Sequence, residues 1–155
     1  MSRDAVKPGG AAANRELLDH GTLYVARFDV DGSGEWLPLV QGKNGLVADK
    51  GFASQGDVLI KSRQASDLLG ATRMDRPEWT TVDPLTKEVY CTLTNNSNRG
   101  GAGQPFMDAA NPRSNNTMGQ IIRWKEQGDL DGTKFAWNHL VLAGDAKQSR
   151  WEAQG

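Results

Sequence analysis

The chain has 155 residues, enough for one ordinary domain with its own core. Lys and Arg total 18 and Asp and Glu 19, for a net charge of −1, so no basic excess points to nucleic acid and no basic amphipathic stretch to a membrane surface. The longest apolar run is far too short to span a bilayer, and the single cysteine, Cys91, excludes an internal disulfide.

Residues 1–20 read as a flexible N-terminal segment. Met1 to Ala13 lacks the apolar stretch of a signal peptide, so an exported protein would carry its signal upstream of this sequence. Residues 21–145 read as the folded part and 146–155 as a tail. Within the folded part, 18 glycines imply many turns, and five tryptophans suggest buried anchoring points.

Three stretches predict β-hairpins. In Gly21 to Val40, the apolar run Leu23 to Phe28 meets the turn Asp29 to Gly34 and returns along Trp36 to Val40. In Trp79 to Thr94, the turn is Asp83 to Lys87, and Val89, Cys91 and Leu93 alternate on one face of the return strand. In Gly119 to Gly144, Ile121 to Trp124 leads through Gly128 to Gly132 into Phe135 to Leu142. Gly, Asp and Pro at the bends supply the backbone angles that such turns require. The turns recur at roughly 50 residues, a spacing within the range of propeller blades. Between the first two hairpins, Val58, Leu59, Ala65, Leu68 and Leu69 predict a short helix stopped by Gly70. Between the last two, Asn95 to Met118 forms a long loop holding six asparagines, and loops of that length usually carry function or disorder.

The segment Arg73-Met74-Asp75-Arg76-Pro77-Glu78-Trp79 concentrates two arginines and two carboxylates around one proline. Pro77 should hold Arg76 extended, and in an extended segment Arg76 and Glu78 would share a face opposite Asp75 and Pro77. A guanidinium fork suits a phosphate and a carboxylate suits a hard cation, so that face could serve an anion beside a metal. From pattern alone, a surface salt bridge at a strand start is the commoner explanation.

Other constellations are weaker. The asparagines and Arg99 or Arg113 could serve calcium or an oxyanion, but such clusters more often satisfy turns. Asp29 to Glu35 falls short of a calcium loop and reads as a hairpin turn, and so does Asp129 to Gly132. His20 and His139 have no ligand-like spacing to each other or to Cys91, and Cys91 reads as a small core residue.

Three strings, GATRMDRPEWTTVDPLTKEVYCTLTNN, AANPRSNNTMGQIIRWKE and FAWNHLVLAGD, resemble the central region of PhoX-type alkaline phosphatases in order and spacing. The upstream GTLYVARFDVDGSGEWLPL fits as well, and Asp75-Arg76-Pro77-Glu78 is the most specific element. The resemblance implies an all-β fold: a partial β-propeller, two or three blades of a six-bladed ring, with a short helix and long loops. It also implies hydrolysis of phosphomonoesters, an iron and calcium cluster, and twin-arginine export to the periplasm or beyond. Carried over, Arg76 would bind a phosphate oxygen as a catalytic residue, Glu78 would ligate the metal cluster, and Asp75 would orient a neighbouring group from behind. The family's cysteine-containing acidic motif has no counterpart here, so the remaining metal ligands are expected outside this chain, which would be inactive alone. The competing expectation is a calcium-binding propeller module or an adhesion remnant without catalysis.

Overall fold

The computed structural model describes residues 5–128 and 131–144. Six strands are present among them: β1 (Tyr24–Phe28), β2 (Ser33–Pro38), β3 (Pro77–Val82), β4 (Val89–Leu93), β5 (Gln120–Glu126) and β6 (Lys134–Leu142). Short helices α1 (Gly10–Ala13), α2 (Gln55–Ile60) and α3 (Ser62–Leu69) accompany them. The chain divides into two compact units, Met1–Arg27 with Trp36–Ala71 and Phe28–Glu35 with Thr72–Gly155.

In the first unit, the predicted helix is two helices in succession. Ser54 opens α2 with a reciprocal capping box: its hydroxyl accepts from the Asp57 N–H at 3.1 Å, and the Asp57 carboxylate accepts from the Ser54 N–H at 3.0 Å. Gly70 closes α3 in the left-handed conformation, φ 74°, where its N–H reaches back to the last turn. Val58 and Ala65 point inward from the two helices and pack with Leu39, Leu46 and Phe52 as this unit's core. Leu59 and Leu68 face outward, so only part of the predicted apolar set forms the buried stripe.

All three expected hairpins form, and they share one sheet in the order β1-β2-β6-β5-β4-β3. The 50-residue spacing of their turns therefore does not mark one separate sheet per hairpin. β6 lies between β2 and β5 and pairs antiparallel with each, Gly34 opposite Phe135 and Trp124 opposite Trp137. The turns owe their shape to aspartates. Asp31 accepts from the Ser33 N–H and hydroxyl, and Asp83 from the N–H groups of Leu85 and Thr86. In the third turn, Asp129 and Leu130 lie outside the described residues.

Alternate residues of β4, β5 and β6 bury one face of the second unit: Cys91 and Leu93, Ile122 and Trp124, Phe135 and Trp137. Phe28 meets Trp124, Phe135 and Trp137 edge-on at centroid distances of 6.1, 4.9 and 5.3 Å. Two tryptophans thus serve as the anchors expected of them. Trp79 does not: it is 79% exposed on β3, a strand with every position exposed at the sheet's edge. Burial pushes the Cys91 thiol above its ordinary range, as suits a core residue rather than a ligand.

Gly34 is required by space. A Cβ there would meet the Phe135 ring at 2.1 Å. We expect Gly34→Ala to lower the unfolding free energy by about 1–3 kcal/mol, as overpacking does. Denaturant unfolding checks this, and an unchanged midpoint would show that the aromatic cluster can yield.

Candidate functional site

The chain enters β3 through a tight reversal. The Arg76 N–H donates to the Met74 carbonyl at 3.1 Å, closing a three-residue turn about Asp75. Arg76 then sits at φ 42°, in the left-handed region, and strand structure begins only at Pro77. The expected extended conformation of Arg76 is therefore overturned, and with it the strand alternation that placed Arg76 and Glu78 on one face. The cause is tertiary. The Asp75 N–H donates to Asn111 Oδ1 at 2.8 Å, and the Arg76 carbonyl accepts from the Thr94 N–H at 3.2 Å. These bonds fix the backbone on both sides and outweigh the local preference set by Pro77. A left-handed non-glycine residue costs on the order of 1–3 kcal/mol and persists only where its surroundings over-determine it.

Here the surroundings are a buried polar centre. Asp75 is fully buried, and its Oδ1 accepts from Arg99 Nε at 2.5 Å and from Asn96 Nδ2 at 2.8 Å. Its Oδ2 accepts from Asn116 Nδ2 at 3.2 Å. Arg99 is buried as well, and its guanidinium donates to the carbonyls of Arg73 and Phe106 and to the Asp108 carboxylate. Asn111 Nδ2 donates to Asp108 Oδ1, while Asn116 Oδ1 accepts from the Gly119 N–H. The long loop is thus neither disordered nor a simple run of turns. Asn96, Asn111, Asn116 and Arg99 form the inner wall that holds Asp75.

The centre extends to the end of β5 and β6. Gln120 Nε2 donates to the Ala110 carbonyl at 2.7 Å, and His139 Nε2 lies 3.0 Å from the same oxygen, so the neutral ring carries its proton on Nε2. Burial holds the His139 imidazole below its ordinary range. The Arg113 charge adds to this, while the Ala110 carbonyl and Asp108 pull the other way. His139 thus holds the Ala110 carbonyl as a structural donor.

The three predicted site residues meet different fates. Asp75 is inside the polar centre. Arg76 is exposed, and its Nη1 donates to the Asn95 carbonyl at 3.3 Å and to Asn95 Oδ1 at 3.1 Å. Glu78 is exposed on β3, and its side chain takes no hydrogen bond or ion pair among the described residues. No ion pair joins Arg76 to Glu78 among the described residues. Sequence reasoning did not pick out Asn95, Asn96, Asn111 and Asn116 one by one. Their density in the loop was the only signal.

The sequence profile of the alkaline phosphatase PhoX family matches residues 1–155. The chain belongs to the PhoX family. It is similar to the solved structure of Pseudomonas fluorescens PhoX in complex with vanadate, a transition state analogue, with 52% sequence identity and a TM-score of 0.85. The match covers 92% of this chain and 26% of that one, so the chain spans about a quarter of the length of that PhoX protein. No curated protein matches the chain. Residues Arg73 to Trp79 and the loop that clamps them lie within the PhoX match.

Two outcomes follow from the polar centre. Asp75→Asn keeps the shape but leaves Arg99 charged, buried and without its carboxylate, and it should cost about 3–5 kcal/mol in denaturant unfolding. A loss below about 1 kcal/mol would place the pair among dispensable ion pairs. For His139, the depressed value means that the unfolded ring takes up a proton which the folded ring refuses. Stability should therefore be full above the ordinary histidine pKa of about 6.5 and fall as pH drops below it. His139→Gln retains a donor for Ala110, and its unfolding midpoint should vary less than that of the parent sequence between about pH 7.5 and 5.5.

Proposed function

We propose that this chain is part of a metal-dependent phosphomonoester hydrolase and supplies the anion-facing side of its active site. The observation that carries this reading is the Arg76 guanidinium: exposed, mounted on a strained turn that a buried ion pair holds fixed, in a chain of the PhoX family. Membership of that family and the likeness to a PhoX protein solved with vanadate support phosphate chemistry at such a group.

In this reading Arg76 donates to the phosphoryl oxygens. The turn fixes its direction before substrate arrives, so no reorganisation is needed as charge develops in the transition state. Asp75 acts from behind by holding the turn. Glu78 is proposed as one oxygen ligand of a metal site, for which the family resemblance suggests iron and calcium. Among the described residues, no group of three or more His, Cys, Asp or Glu side chains could hold a metal ion. A single carboxylate does not make a cluster, so the described residues do not by themselves fit one. The chain alone is accordingly expected to be inactive. Antiparallel hairpins in an all-antiparallel sheet, in a chain of the PhoX family, support part of a β-propeller as the setting. Export to the periplasm or beyond is proposed on the resemblance. No helix among the described residues is long and apolar enough to cross a membrane.

Arg76→Ala in the full-length phosphatase should lower turnover by on the order of 10²–10³, the usual consequence of removing a fixed donor. The assay uses a chromogenic phosphomonoester with iron and calcium supplied, beside a thermal unfolding curve. Near-wild-type turnover in a folded variant would remove Arg76 from the active site.

A further inference from the structure

Three consecutive residues clasp the dipeptide Asp75-Arg76. The Thr94 N–H donates to the Arg76 carbonyl at 3.2 Å, and the Thr94 hydroxyl lies 3.4 Å from the same oxygen. Asn95 offers both its carbonyl and its side-chain oxygen to Arg76 Nη1. Asn96 Nδ2 donates to Asp75 Oδ1, and the Asn96 backbone exchanges hydrogen bonds with Asn116 at 2.6 and 3.1 Å. Backbone, guanidinium and carboxylate of the turn are thus each held by one residue of Thr94-Asn95-Asn96.

We propose that Asn95 is the positioning residue for Arg76, setting the direction in which the guanidinium meets a phosphoryl group. This rests on the reading of Arg76 given above. The chemistry of the contact supports it. Both acceptors on Asn95 are neutral oxygens, so Arg76 is oriented without a counter-ion and keeps its full charge for an anion. Both fall on Nη1, and Nε and Nη2 carry no hydrogen bond among the described residues. Those two nitrogens form one edge of the guanidinium and can donate in parallel to two oxygens of a phosphate. Arg99 shows the contrast: its Nε is committed to the Asp75 carboxylate and its other nitrogens to carbonyls and Asp108. A carboxylate in place of Asn95 would give Arg76 the same fate. Asn95 is itself exposed and lies outside the buried polar centre, so its side chain can be removed without opening that centre.

The test is a double-mutant cycle in the full-length phosphatase with Asn95→Ala, Arg76→Ala and the double variant. The readouts are kcat, KM and the inhibition constant of inorganic phosphate, with thermal unfolding alongside. Asn95→Ala should lower kcat/KM by about 10-fold, the lower end of what an orienting partner is worth, and weaken phosphate inhibition in the same direction. In the Arg76→Ala background it should change neither. Asn95→Asp should weaken phosphate inhibition at least as much as Asn95→Ala, because it adds a competing charge. If Arg76→Ala is silent, the reading of Arg76 itself fails. If Arg76→Ala is damaging but Asn95→Ala is silent, or equally damaging with Arg76 absent, the positioning role is overturned while that reading stands.

Discussion

The second unit is organised around the buried ion pair between Asp75 and Arg99, 2.5 Å apart with side chains 0% and 1% exposed. Taking two charges out of water is unfavourable, and the mutual attraction offsets this only where the remaining lone pairs and protons are also satisfied. That condition dictates the neighbourhood. Asp75 needs further donors, and Asn96 and Asn116 provide them. Arg99 needs further acceptors, and the carbonyls of Arg73 and Phe106 provide them. The loop from residue 95 to 118 has no strand or helix, and this pair ties its two ends together where the Asn96 and Asn116 backbones also bridge. An apolar plug of the same volume could stabilise the unit equally well. It could not fix the peptide groups from Arg73 to Arg76 in one arrangement, because dispersion contacts have no direction and hydrogen bonds do.

What was legible in the sequence is what local rules determine. Asp31 and Asp83 mark their turns because each side chain bonds backbone N–H groups two or three residues on. Gly70 marks a helix end because few other residues adopt its φ without strain. Cys91 and Leu93 mark a buried face because a strand alternates. The insertion of β6 between β2 and β5 was not legible, since strand order depends on contacts about 100 residues apart in the chain that no local pattern encodes. Arg76 is the instructive failure. The rule that a residue before proline is extended describes an isolated peptide. Here the carbonyl of Arg76 is held by Thr94 and the N–H of Asp75 by Asn111, partners 18 and 36 residues away, and they impose the left-handed turn. Burial of Asp75 was equally hidden, because its partners appeared in the sequence only as a loop rich in asparagine.

The two arginines that flank this centre show how surroundings divide one side-chain chemistry into two tasks. Arg99 is buried among a carboxylate and carbonyls that take four of its five N–H groups. Arg76 meets neutral oxygens on one nitrogen and faces outward. Charge neutralisation within the fold and charge retention at the surface therefore meet at two adjacent residues, Asp75, which holds Arg99, and Arg76. The strain at Arg76 has a physical reason on this view. A free guanidinium on a flexible stem is ordered on binding at an entropic cost of roughly 0.5–1.5 kcal/mol for each such side chain immobilised. A backbone locked by the buried pair fixes where that stem starts, and under the proposed role of Arg76 this would lower the ordering left to an arriving anion. The turn's strain is a cost that the buried hydrogen bonds around Asp75 sustain.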